Sequence, residues 1–282
     1  MTEAELRDFL CEQGLVDNWT EFQKLKGGYL NTVWRFDTMD RCLVAKEFAK
    51  PMTGTLFPNL PEDEAEALRR LGDLEVAPKL VGFWLDASLL VYEFVEGEMW
   101  DGDVQGVAQL LLRKEAADPT GFRGVPLNAH AILAEGDALF TRCKSPPNAI
   151  CPSLVDVPLP QKLSLIHTDI GVNLVGAGSG LRLIDWQCPA IGDICEDIYS
   201  FLSPAFQILA GRDPLTDAKV RDFWLALGRP ELERRYTLLR PAYAWRFAGY
   251  CAWRSEALED AEICARYRCA LEEELTYMRQ QA

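Results

Sequence analysis

The sequence predicts an α+β chain in two parts: a small antiparallel sheet with one helix at its N-terminal side, followed by a larger, mainly helical part. Three observations predict it. Stretches rich in β-branched and apolar residues crowd into residues 24–94. After residue 104 the apolar residues recur at helical spacing instead. Among these helical stretches lies one further strand–turn–strand pattern, residues 163–187, along which His167, Asp169, Asn173 and Asp185 are set.

In order, residues 3–14 place Leu6, Phe9 and Leu10 on one helical face and stop at Gly14. Residues 24–36 read as a strand, a turn at Gly27-Gly28 and a second strand. The backbone amides of such a turn can approach phosphate oxygens with no Cβ in the way. Residues 42–48 form the next strand, whose alternation puts Val44 and Lys46 on one face. A helix opens at Pro61, which suits a first helical position. At about 100° per residue its Ala65, Leu68 and Leu71 share a face with Glu64 beside Leu68, while Glu62 and Glu66 point away as solvated charges. Strands 80–84 and 89–94 pair across Asp86–Ser88, and a polar link follows through Gly97. The domain boundary is placed after Phe94, giving parts 1–94 and 95–282. Beyond it, residues 104–115 form a helix, and residues 117–160 are Pro-rich around one short helix at about 128–142. Further helices are expected at about 194–210, 216–228, 231–253 and 256–279, with most of their aromatic residues in the core.

Composition narrows the function. The net charge of −14 opposes nonspecific attraction to nucleic acid or to an anionic membrane. Nine cysteines with no Cys-x-x-Cys pair indicate neither a zinc site nor a disulfide framework. The acidic N-terminus lacks the pattern of a signal peptide, and no apolar run is long enough to span a bilayer, so a cytoplasmic location is expected. With only His130 and His167 in the chain, hydrolytic triads have few members to draw on. Gly176, Gly178 and Gly180 lack dinucleotide-fingerprint spacing, and no Walker A motif occurs.

The 163–187 stretch carries the chemistry. An apolar run delivers His167 and Asp169, and the chain then turns back through the three glycines to Asp185. Asn173 leaves on one strand and Asp185 arrives on the other, so two hard oxygen ligands become neighbours, a pair suited to magnesium with phosphates. Asp169 is left to accept a proton.

His167-x-Asp169, Asn173 and then Ile184-Asp185-Trp186 together resemble the catalytic core of the aminoglycoside phosphotransferase and choline kinase family, small-molecule relatives of protein kinases. The resemblance implies a bilobal protein-kinase-like fold, ATP and magnesium as cofactors, and a small hydroxyl compound as acceptor. It implies that Asp169 meets the acceptor hydroxyl, that Asn173 and Asp185 hold magnesium, and that His167 braces the loop. It also implies that Asp197, in Gly192-Asp193-x-x-x-Asp197, supports that loop. Gly27-Gly28 with Asn31 and Thr32 resembles the family's nucleotide-covering turn. Val44 would roof the adenine, Lys46 reach the phosphates with Glu64 as its partner, and the backbone of Glu93 and Val95 meet the adenine edge. One departure stands out: three residues, Ile170 to Val172, separate Asp169 from Asn173, where the family usually has four. Gly171 is therefore expected to take a tight, left-handed conformation. Acidity and aromatic content point to a cationic acceptor, choline- or ethanolamine-like or an aminoglycoside, with homoserine or a sugar as alternatives. The reading from another class is a nucleotide-binding pseudokinase.

Overall fold

The computed structural model describes residues 1–25, 30–49, 54–178 and 180–281. The Gly27-Gly28 turn lies outside the described residues.

Helix α1 (Glu3–Glu12) starts where Thr2 and Glu5 satisfy each other's backbone amides in a capping box. There follow β1 (Phe22–Lys24), β2 (Thr32–Asp37), β3 (Cys42–Glu47), α2 (Pro61–Leu71), β4 (Leu80–Trp84), β5 (Leu89–Glu93) and the short β6 (Glu98–Met99). Among the described residues five strands form one antiparallel sheet in the order β1-β2-β3-β5-β4. Side chains alternate across a strand, so Leu43 and Ala45 of β3 join Leu6, Leu10, Phe36, Leu89 and Val91 in a core on the α1 side. Val44 and Lys46 fall on the opposite face, and both are buried. Three acids in the first turn of α2 and Arg69 and Arg70 in its last complement the helix dipole.

The chain continues through α3 (Val104–Lys114), α4 (Ala129–Phe140), β7 (Ser164–Ile166), β8 (Leu174–Ala177), β9 (Gly180–Leu183) and β10 (Ala190–Gly192). It ends in α5 (Ile194–Leu202), α6 (Pro204–Leu209), α7 (Asp217–Leu227), α8 (Pro230–Ala257) and α9 (Ala261–Gln281). β7 pairs antiparallel with β10, whereas β8 lies between β6 and β9. The β6–β8 approach is close: a Cβ on Gly97, whose φ is 155°, would fall 1.6 Å from the Gly176 carbonyl oxygen. The single helix expected over 194–210 is two helices. Ser203 ends α5 in extended backbone and caps α6 by accepting from the Ala205 amide, with Pro204 as the first residue of the new helix. Helix α7 stops on Gly228 at φ 64°, the left-handed closure that glycine allows. Among the described residues no helix is long and apolar enough to cross a membrane.

The elements gather into two compact units. One comprises Met1–Trp100 with Val175–Cys188, the other Asp101–Leu174 with Pro189–Ala282. The β8–β9 hairpin thus leaves the helical part of the sequence and joins the first unit.

Within the helical unit, α8 packs against α4 and α9, and α9 also against α6. Glu274 of α9 is buried there and accepts from the Tyr199 hydroxyl at 2.8 Å and from Ser203 Oγ at 2.5 Å. Burial raises its carboxyl to about 7, against the opposing pull of these two donors. A folded-state value above the unfolded one means that the stabilisation is complete at low pH and is lost as pH rises through about 7. Urea unfolding at about pH 5 and about pH 8 is expected to show a stability loss that Glu274→Gln reduces, by an amount on the order of 3 kcal/mol.

Candidate functional site

The first unit holds a buried cation between two carboxylates. Lys46 is brought to the inner face of β3 by register, opposite Val33 on β2 and Leu90 on β5. Its Nζ donates to Glu64 Oε2 at 2.6 Å and to Asp185 Oδ1 at 2.5 Å. Glu64 is on the buried face of α2, as its helical phase requires, while Glu66 pairs at the surface with Arg69 and Arg70. Burial alone would lower the lysine's pKa, but the charges of Asp185 and Glu64 outweigh it and raise the value. Glu64 is pushed up to about 7 by burial, helped by the neighbouring Asp185 charge and opposed by Lys46 and the Trp186 backbone N–H. The buried Tyr92 phenol, also raised by burial, feels the same three charges.

Asp185 sits at φ 61°, an uncommon left-handed position for a residue with a Cβ. Its segment is stitched to the rest of the unit. Leu183 donates its amide to the Val76 carbonyl at 2.7 Å, and Leu60 donates to the Gln187 carbonyl at 2.8 Å. The Asn31 amide donates to Gln187 Oε1 at 3.2 Å and to Asn59 Oδ1 at 3.1 Å, and its oxygen accepts from the Ala49 amide and from Asn59. Asn31, expected at the nucleotide, is therefore engaged in a clasp that fixes the chain after Asp185. Thr32 opens β2 opposite Glu47. Glu93 closes β5 and spends its amide on the Lys79 carbonyl, so a ligand there must use its carbonyl or Val95.

The second unit holds the loop after β7. Asp197 of α5 accepts from the amides of His167 and Thr168 at 2.9 and 2.8 Å, and its other oxygen lies 3.0 Å from Lys114 Nζ. Lys114, fully buried, also donates to the Leu165 carbonyl at 2.5 Å. The buried His167 accepts the Asp169 amide on Nδ1 at 3.3 Å. Asn173 donates Nδ2 to the Asp169 carbonyl at 2.8 Å, which leaves Oδ1 as its donor atom for a metal.

The short loop closes differently from expectation. Gly171 is not in the left-handed region; Thr168 is, at φ 69°. A turn from Ile170 to Asn173 with an amide-to-carbonyl bond of 3.0 Å takes up the missing residue, and the Ile170 amide bonds Ser200 Oγ at 3.1 Å. Arg212 then donates Nη2 to the Gly171 carbonyl and Nε to Gln207 Oε1 at 2.9 Å. A Cβ on Gly171 would sit 3.4 Å from Phe206, an ordinary packing distance.

Lys114 was legible in principle, since it shares the apolar face of Val107, Leu110 and Leu111, all buried. Arg212 had no local signal. Asp185 and Asn173 belong to different units, and each presents a hard oxygen. The Asp185 side chain is 39% exposed although its Oδ1 meets Lys46. A single such oxygen suits magnesium that takes its remaining ligands from phosphate and water, so the chemistry of each residue by itself fits that ion.

No family model and no curated protein matches the sequence. Solved structures do. The fold is similar to a choline kinase from Streptococcus pneumoniae, at 16% identity over 98% of this chain and 99% of that one, with a TM-score of 0.65. It is similar to an ethanolamine kinase from Plasmodium vivax, at 13% identity over 96% and 87%, with a TM-score of 0.68. A spectinomycin phosphotransferase, solved with ADP and spectinomycin, aligns at 10% identity over 100% and 99%, with a TM-score of 0.64. The chain thus has the protein-kinase-like fold of these small-molecule kinases.

Removing Lys46 leaves two carboxylates facing each other, one fully buried. For Lys46→Met we expect a stability loss on the order of 3–5 kcal/mol near neutral pH. Glu64 escapes the penalty by taking up a proton, so urea titrations should show a smaller loss at about pH 5 than at about pH 8.

Proposed function

We propose that this chain transfers the terminal phosphoryl group of ATP to a hydroxyl of a small molecule. The observation that carries the reading is the buried Lys46 ammonium shared by Glu64 and by Asp185, whose side chain stays partly exposed. The likeness to choline, ethanolamine and spectinomycin kinases supports it.

In this reading Lys46 binds the phosphates, with Glu64 keeping the ammonium in place on the inner face of the sheet. Val44 offers an apolar surface to the adenine, and the backbone at Glu93 and Val95 its polar edge. Asp185 and Asn173 Oδ1 would hold magnesium, which when bound neutralises charge on the transferring phosphate. Asp169 orients the acceptor hydroxyl. As the acceptor oxygen bonds to the γ-phosphorus, the bond from that phosphorus to the ADP oxygen breaks, and the hydroxyl proton passes to the Asp169 carboxylate and then to water. Proton acceptance of this kind contributes on the order of 10²–10⁴-fold. His167, Asp197 and Lys114 hold the backbone around Asp169, so its carboxylate is positioned without being consumed by that task.

Two outcomes test the division of labour. Asp169→Asn should lower phosphoryl transfer by about 10²–10⁴-fold while calorimetric ATP binding stays within about 3-fold; equal losses in both would contradict it. ATP binding by the unaltered chain with neither transfer nor Asp169-dependent hydrolysis would favour the pseudokinase reading. Arg212→Met should act on the loop alone, lowering kcat by about 10-fold, as loss of a hydrogen bond from a charged donor implies, with the KM for ATP little changed. Steady-state kinetics would show this split, and a parallel rise in KM for ATP would contradict it.

A further inference from the structure

The end of α8 carries side chains that the reaction above does not use. Phe206, against which Gly171 packs, stacks on Phe247 with centroids 4.0 Å apart. Phe247 stacks on Tyr250 at 6.0 Å, and Tyr250 meets Trp253 and Tyr267 edge-on at 5.9 and 6.0 Å. This row of rings starts at the loop that carries Asp169. Burial and the neighbouring Tyr267 raise the Tyr250 phenol, which feels both the Arg254 and the Asp169 charges, the first opposing and the second adding to the shift.

Ring faces beside an acceptor carboxylate ordinarily suit a cationic ligand. Here protein cations lie against two of the rings, Trp253 and Tyr267. The Arg142 guanidinium carbon lies 3.6 Å from the centroid of the Trp253 ring. Arg254 lies 5.5 Å from the same ring and 5.9 Å from that of Tyr267. Among the described residues no carboxylate lies within ion-pair distance of Arg254, and its buried Nε has no acceptor. Glu256, two residues along the chain, accepts from the Lys144 and Ser145 amides at 2.6 and 3.0 Å. A half-buried guanidinium without a counter-ion is relieved by an anion that accepts its planar donors.

We propose that Arg254, set beside Trp253 and Tyr267, is the subsite for an anionic group on the acceptor, so that the alcohol phosphorylated carries a carboxylate or a phosphate rather than a quaternary ammonium. This rests on the phosphotransferase reading and names its substrate class.

The test follows ADP release by the full chain with ATP, magnesium and one of four probes: glycerate, glycerol 3-phosphate, glycerol or choline. One of the two anionic probes is expected to give the highest kcat/KM, and which one separates carboxylate from phosphate. Arg254→Gln should raise the KM of that probe by about 10- to 100-fold, the effect of losing a hydrogen bond from a charged donor, with a smaller change in kcat, and Arg254→Lys should restore part of it. Choline or glycerol used as well as the anions, or KM values unmoved by Arg254→Gln, would overturn the subsite and leave the phosphotransferase reading standing. If no probe accepts phosphate but ATP hydrolysis dependent on Asp169 occurs, tartrate decides. A rate change by tartrate that Arg254→Gln abolishes supports the subsite, and indifference to tartrate overturns it. Neither transfer nor such hydrolysis would overturn the proposed function itself.

Discussion

A lysine ammonium withdrawn from water needs its charge balanced locally, and Lys46 is balanced twice over, by Glu64 from α2 and by Asp185 from the end of β9. Three stretches remote in sequence are thereby tied to one atom. Two negative groups against one positive also leave the cluster with an excess of negative charge. Fully buried Glu64 bears much of the cost, with its carboxyl pushed up to about 7, while Asp185 is the more exposed of the two. The same arrangement explains why the β8–β9 hairpin packs with the sheet rather than with the helices that precede it. Leu183, Gln187 and Asp185 all find their partners there.

The helical unit solves a related problem by the opposite means. Asp197 is buried and answers its charge with Lys114 and two backbone amides. Both amides lie in the turn just before Asp169, and Lys114 reaches Asp197 from the end of α3. The groups that position the loop are thus satisfied among themselves. Asp169 itself is held through its backbone, which donates to His167 and accepts from Asn173. Under the proposed function this loop needs a rigid frame, because small displacements of a reacting group are costly. The left-handed Thr168 and the bond from Arg212 to Gly171 belong to that frame.

Much of this was readable from pattern. Period-two alternation put Lys46 on the inner face of β3, and helical phase separated Glu64 from Glu62 and Glu66. The glycines after Asn173 marked the hairpin that ends near Asp185. What pattern cannot supply is a partner chosen by tertiary packing. Asn31 fitted a nucleotide-turn spacing, yet its amide finds Asn59 and Gln187, and neither lies near it in sequence. Gly171 looked like a residue kept for its backbone freedom, whereas the left-handed position in the loop falls on Thr168. The Ser203-Pro204 break was present in the sequence as a cap followed by a first-turn proline, but the apolar spacing ran straight across it. The arginines at the end of α8 and after α4 carry the same lesson. Composition suggested rings open to a cation, and only coordinates place Arg142 and Arg254 over them.

The central claim is that a phosphoryl group leaves ATP for an organic hydroxyl. It is tested most directly by following label from ATP in the presence of the full chain, magnesium and a pool of hydroxy acids, sugar phosphates, amino alcohols and polyols. With the label in the γ-phosphate, the account predicts its appearance in an organic phosphate; with the label in the α-phosphate, it should stay in the nucleotide. Label that remains in ATP, or that is released only as inorganic phosphate, would contradict the account.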